Sequence, residues 1–111
     1  NSHQQVAFDE KLITKELIPF KNEGDFTIKN KQLDDCFVMN DDTIEFITPE
    51  YQLKITSDVA QNYLQMYTPP HKTLIAIEPM TGISNSFNNQ IGLQVLAPSE
   101  TYEITWNLSI I

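Results

Sequence analysis

Apolar and polar residues alternate with a period of two along much of the chain, and most cleanly at its C-terminal end. Over residues 101–111, Tyr102, Ile104, Trp106, Leu108 and Ile110 fall on one face and Glu103, Thr105, Asn107 and Ser109 on the other, which predicts a strand that packs one face on a sheet. The same period places Ile44 with Phe46 in residues 43–48, and Tyr51 with Leu53 and Ile55 in residues 51–56. Residues 33–39 and 63–68 are two further strand candidates, the second stopped by Pro69 and Pro70. Asn40-Asp41-Asp42 and Pro49-Glu50 supply turns between these runs. Half-buried strands joined by turns predict an antiparallel meander.

Other stretches are less regular. After Asp9, a helix-capping residue type, Leu12, Ile13 and Leu17 recur at roughly helical spacing, while Thr14, Ile18 and Pro19 oppose a long helix. A short helical stretch is the reading there. Gly24-Asp25 marks a turn, residues 26–29 alternate briefly, and residues 57–62 form a polar loop with room for one helical turn. Residues 74–77 are an apolar run too short for a helix, and Pro79 ends it, so Glu78 is expected where a strand stops. The segment 79–90 that follows, rich in Asn and Ser, is long for a hairpin and is expected to be a functional loop. Residues 91–96 form another strand candidate before the turn at 97–100. With no internal repeat, low-complexity segment or linker, the chain reads as one mainly β domain, an antiparallel β-sandwich of stacked sheets.

Charge narrows the function classes. Fifteen acidic residues against seven lysines and no arginine give a net charge of -8, which argues against nucleic acid and anionic membranes. Lack of arginine also disfavours a phosphorylated substrate. Cys36 is the single cysteine, so no internal disulfide is expected. It lies between Asp35 and Phe37 with no basic neighbour to form a thiolate, and so reads as a buried structural thiol. No apolar run approaches the roughly 20 residues of a membrane span, and the first five residues lack a signal-peptide pattern, so a cytoplasmic location is expected. As the sequence does not begin with Met, its start is expected to be a processing boundary. No metal is indicated, because His, Cys and carboxylates show no ligand spacing, and there is no phosphate-binding Gly-rich loop. Asn107-Leu108-Ser109 matches a glycosylation sequon but lies inside a strand pattern.

On the residues alone, Glu78 is either a solvated strand end or an acid/base group on a rigid scaffold. Asp34 and Asp35 are either a solvated turn or ligands. Gln65 and Tyr67 share one side of their strand, where an amide and an aromatic suit a polyol site or the ring packs in the core. Asn85, Phe87 and Asn88 either line a pocket from the 79–90 loop or hold its shape. His71, between Pro70 and Lys72, reads as an exposed turn residue, and His3 lies near the terminus.

Several blocks occur in a fixed order: L-D-D-C-F-V (33–38), L-Q-M-Y-T-P (64–69), I-A-I-E-P-M-T-G (75–82), S-F-N (86–88) and G-L-Q-V-L-A-P (92–98). Together they resemble the C-terminal part of the aldose 1-epimerases, the galactose-mutarotase-like proteins. That resemblance implies the C-terminal portion of a supersandwich fold, which interconverts the α and β anomers of a free aldose without a cofactor. By the same resemblance Glu78 is the base and Asp34 accepts hydrogen bonds from the sugar, and with a sugar as ligand Gln65 and Asn88 are expected to contact it as well. A one-residue slip would exchange Asp34 for Asp35, which stands where relatives often carry histidine.

The chain departs from the family in one respect that matters. The family's acid lies in a histidine-proline-aromatic motif upstream of the region covered here, and relatives are more than twice as long. Residues 1–111 are therefore expected to form a partial domain, inactive alone. Its apolar faces are expected to be covered by a missing N-terminal half, in the same protein or a second chain, or by self-association. Two other readings remain: a carbohydrate-binding module of the same fold without catalysis, and a structural or interaction role.

Overall fold

The structure, a computed structural model, describes residues 2–22, 24–59, 62–71 and 73–111. Its elements in chain order are β1 (Ser2–Phe8), β2 (Thr14–Pro19), β3 (Asp34–Met39), β4 (Thr43–Ile47), β5 (Gln52–Ser57), β6 (Tyr63–Tyr67), β7 (Ala76–Met80), the short helix α1 (Ser86–Asn89) and β8 (Trp106–Ile110). A five-stranded sheet runs β2-β1-β3-β6-β7 and a three-stranded sheet runs β4-β5-β8. Every pairing is antiparallel. The protein is mainly β, as the alternation predicts, and its two sheets are consistent with a β-sandwich.

The helix expected after Asp9 is instead a hairpin. Asp9 Oδ1 accepts hydrogen bonds from the backbone N–H groups of Lys11 at 2.8 Å and Ile13 at 2.9 Å, and the Leu12 N–H donates to Asp9 O at 3.0 Å. A carboxylate that caps a helix satisfies a tight turn by the same chemistry, and β-branched Ile13, Thr14 and Ile18 favour the extended chain beyond it. Val6 then faces Leu17 across the hairpin. His3 belongs to β1, with its Nδ1 hydrogen-bonded to Asn40 Oδ1.

The consecutive strands do not form one meander. At residues 40–42 the chain leaves the large sheet, and β4 and β5 begin the small one. There Ile44 faces Ile55 and Phe46 faces Leu53, while β8 aligns Leu108 with Ile55 and Ile110 with Leu53. One face of the small sheet is thus continuously apolar. Only Ile55 on it is buried; Leu108 is 64% exposed and Ile110 70%. The expected packing of the last strand against a sheet is therefore not made: β8 pairs at its edge with β5 and leaves its apolar face open. Residues 101–105 precede β8 without joining it. The radius of gyration, 15.0 Å, exceeds the about 13 Å of a compact chain of this length.

The core lies on both faces of the large sheet. On one, Val6 and Cys36 meet Ile83 from the segment after β7, with Phe8, Leu17, Tyr63, Met80 and Ile91 packed around them. On the other, Phe37 meets Phe20 and Phe26 at centroid distances of 4.9 and 5.7 Å, and Lys31 Nζ stands 4.0 Å above the Phe26 ring. Residues 26–29 are therefore not a strand but a cover, laying Phe26 against the sheet. Each such ring pair adds on the order of 1 kcal/mol beyond its area.

Candidate functional site

Strand register brings Asp34, Gln65 and Glu78 to one face of the large sheet. Gln65 pairs with Cys36 of β3 on one side and with Glu78 of β7 on the other, and directly paired residues point to the same face. Asp34 lies two residues before Cys36 and shares that face. Gln65 Nε2 donates to Asp34 Oδ1 at 2.8 Å. Asp35 points the opposite way and accepts a hydrogen bond from Gln5 Nε2 at 2.6 Å. Of the two adjacent aspartates, Asp34 bonds Gln65 and shares the face of Glu78, while its own cross-strand partner is Tyr67.

Glu78 does not stand where a strand stops. β7 starts at Ala76 and continues through Pro79 to Met80, with Pro79 opposite Leu64. The proline is tolerated because β7 is at the sheet's edge, where a strand can lack a ladder donor. Glu78 is consequently mid-strand and exposed, and the rigidity of a paired strand fixes its position.

On the same face lies an open groove of about 400 Å³, lined by Asp34, Cys36 and Gln65 on the sheet, Met80 at the end of β7, Gly82, Ile83 and Ser84 after it, and Phe8 and Leu12 from the first hairpin; Glu78 does not line it. The expected functional loop shapes it, although it starts at Thr81 and contains α1. Its neck is Gly82 against Gly92. With φ of +73° at Gly92, a Cβ there would lie 2.6 Å from Gly82 Cα and 2.7 Å from Tyr63 Cε2, so only glycine fits. Past the neck, Ser84 Oγ and Thr14 Oγ1 are hydrogen-bonded at 2.6 Å. Asn88 is exposed, does not line the groove and bonds to Asn85 through its backbone N–H at 2.9 Å; its side chain bonds to Asn85 Oδ1 as well. Asn88 therefore holds the loop's shape. Residues 91–96 pack Ile91 on the core but run irregularly rather than as the expected strand.

Cys36 forms the groove's buried floor. Its thiol, 1% exposed, is pushed up to about 12 by burial, so it is neutral at ordinary pH and inert as a nucleophile. Tyr63 is also raised, by burial and then by the neighbouring Cys36. The hairpin contribution, Phe8 and Leu12, escaped sequence reasoning. Asp9 suits a helix start, and the same Asp9 followed by polar Glu10 and Lys11 also suits a turn.

Among the described residues neither histidine lines the groove. His71 is exposed in the turn after β6 with φ of 59°. No group of three or more His, Cys, Asp or Glu is placed to hold a metal, and no helix is long and apolar enough to cross a membrane, again among the described residues. Comparison of the chain with known protein families, with curated proteins and with solved structures finds no match.

Proposed function

We propose that this chain is the base-bearing part of an aldose 1-epimerase. The observation that carries the reading is that three neighbouring strands set Asp34, Gln65 and Glu78 on one sheet face, with Gln65 opposite Glu78 and hydrogen-bonded to Asp34. It is added to the ordered blocks that resemble the galactose-mutarotase-like proteins. A carboxylate and a carboxamide accept and donate hydrogen bonds to vicinal hydroxyls, and an exposed second carboxylate is available as base.

In this reading Glu78 takes the proton of the C1 hydroxyl of the sugar while an acid gives a proton to the ring oxygen. The C1–O5 bond breaks and the aldehyde forms. Rotation about C1–C2 presents the other face, and ring closure returns both protons. Asp34 and Gln65 hold the hydroxyls so that C1 stays at Glu78. The acid is a histidine outside these 111 residues. The segment that carries it also covers the open face of the small sheet.

Polarimetry of freshly dissolved α-D-glucose and α-D-galactose tests this with the 111 residues alone and with the chain extended at its N-terminus. Activity in the extended form only is expected; activity in the 111 residues alone would overturn the assignment of the acid. The absence of a histidine lining the groove among the described residues favours a second reading, a sugar-binding module without catalysis. That reading is supported if the extended form binds sugar without accelerating mutarotation.

A further inference from the structure

The two sheets meet at the corner formed by residues 40–42, where the chain leaves β3 for β4. Between them lies a cavity of about 10 Å³, walled by Met39 and Pro79 from the large sheet and by Ile55 and Trp106 from the small one. That volume holds about one body the size of a water molecule. Asp41, Asp42 and Asn62 also line it.

Asn62 is the residue whose state the packing does not account for. It is 4% exposed, and its Oδ1 is buried with no hydrogen-bond partner among the described residues. Turning the amide over gives no relief, because Nδ2 donates to Val59 O at 2.5 Å and a carbonyl only accepts. Ionised carboxylates are acceptors as well, so neither aspartate supplies the missing donor. Ser57 Oγ, on the same lining, is engaged with the backbone N–H and C=O of Val59. A buried carbonyl with nothing to accept is costly, and folded proteins keep few of them.

We propose that Asn62 Oδ1 and the carboxylates of Asp41 and Asp42 form a site for one calcium ion, which ties the two sheets together at this corner. All three are hard oxygen ligands, and two carboxylates balance a divalent charge. No His or Cys lines the cavity, which disfavours zinc. Magnesium retains several of its waters, for which the cavity has no room, whereas calcium accepts mixed carboxylate, amide and water oxygens in irregular geometry. Asp41 and Asp42 are exposed, so the ion enters past them and completes its shell with solvent on that side. One ligand is a neutral amide, so the site holds only two of the titratable groups by which metal centres are usually recognised. The ion is structural, and its site is independent of the sugar reading.

Titration calorimetry and thermal unfolding of the chelator-treated chain, extended at its N-terminus, test this with calcium chloride and with magnesium chloride at equal ionic strength. The variants are Asn62→Ala and the pair Asp41→Asn with Asp42→Asn. Asparagine suits an exposed turn, so the pair keeps the corner while removing both charges. The expected result is one calcium ion per chain with a dissociation constant on the order of 0.1–1 mM, as for sites with few charged ligands. Saturating calcium should raise the unfolding midpoint of the parent. Both effects should be lost in the aspartate pair, and calcium affinity should fall by about tenfold or more in Asn62→Ala. Should Asn62→Ala fail to fold, the aspartate pair decides the case. No response of the parent to calcium overturns the site and leaves a single buried water at Asn62. A response matched by magnesium, or unchanged in the aspartate pair, overturns it as well, since the ion then acts elsewhere.

Discussion

Gln65 lies directly opposite Glu78 in the β6–β7 ladder while its Nε2 donates to Asp34 Oδ1 at 2.8 Å. Gln65 therefore bonds one carboxylate of the proposed site and stands opposite the other. A pair of adjacent aspartates that the sequence leaves equivalent is separated by the same register, since one side chain joins this row and the other turns to the opposite face.

Asp34→Asn and Asp35→Asn should accordingly behave differently. Losing the Asp34 charge removes a charge-assisted contact to a sugar hydroxyl and should weaken binding by about tenfold or more, with little change in stability. Losing the Asp35 charge weakens its bond from Gln5 and should cost on the order of 1 kcal/mol of stability with sugar affinity unchanged. Calorimetric titration and urea unfolding of the two variants separate the cases. Equal affinity loss in both would remove the basis for choosing Asp34.

Gly92→Ala should destabilise the chain by more than about 2 kcal/mol. The substitution puts a Cβ on a left-handed residue and against the Gly82 backbone and Tyr63, neither of which is the free end of a flexible side chain. Because the neck positions Ile83 and Ser84, the groove should be lost with it. Urea unfolding and sugar titration of the variant check both; a shift under 0.5 kcal/mol, by the usual scale for neutral surface changes, would contradict the neck's role.

What the sequence made legible follows from how local each determinant is. Period-two alternation identifies β4, β5 and the C-terminal half of the last run as β8, and turn-bounded apolar runs identify β3 and β6, because facing a sheet is a property of each strand alone. Sheet membership was not legible: the turn at residues 40–42 looks like any hairpin turn, and only long-range pairing of β3 with β1 and β6 sends the chain into a second sheet. The Asp9 turn is not distinguishable in sequence, because a carboxylate accepting two backbone N–H groups has the same signature at a helix start. Pro79 has the signature of a strand terminator, whereas an edge strand absorbs it. For the site, Glu78 and Asp34 come from the family resemblance and Gln65 from its residue type, whereas their common face follows only from the strand register. Phe8, Leu12 and Ser84 join the groove only through tertiary packing, and Asn88 turned out to hold the loop rather than line the groove.

Stability should fall in alkali. Cys36 is raised from 9.0 to about 12 in the folded chain, so the native state retains a proton that the unfolded chain gives up. This contribution is fully present below about pH 8.5 and is lost as pH rises toward 12, with a slope of up to about 1.4 kcal/mol per pH unit. Tyr63 acts in the same direction and remains in a Cys36→Ala variant. Unfolding free energies from pH 7 to 11 should therefore show a shallower decline in Cys36→Ala than in the parent. Identical slopes would contradict a buried neutral thiol.

The open apolar face of the small sheet should govern the behaviour of the 111 residues on their own. Within that sheet's strands the charged residues are Glu45 and Lys54, which face each other, so the chain's negative charge does not protect the face. Light scattering should show concentration-dependent self-association, reduced by Leu108→Lys with Ile110→Lys. Extension of the chain at its N-terminus should suppress it. Association insensitive to the two lysines would place the sticky surface elsewhere.

The most direct test of the proposed chemistry is polarimetric mutarotation by the N-terminally extended chain and its Glu78→Gln variant, with sugar affinity measured alongside. Glutamine keeps the shape of an exposed edge-strand residue and removes the base. A rate lower by roughly 10²- to 10⁴-fold, with the sugar still bound, is the predicted result. Mutarotation at the parent rate in the variant would contradict Glu78 as the base.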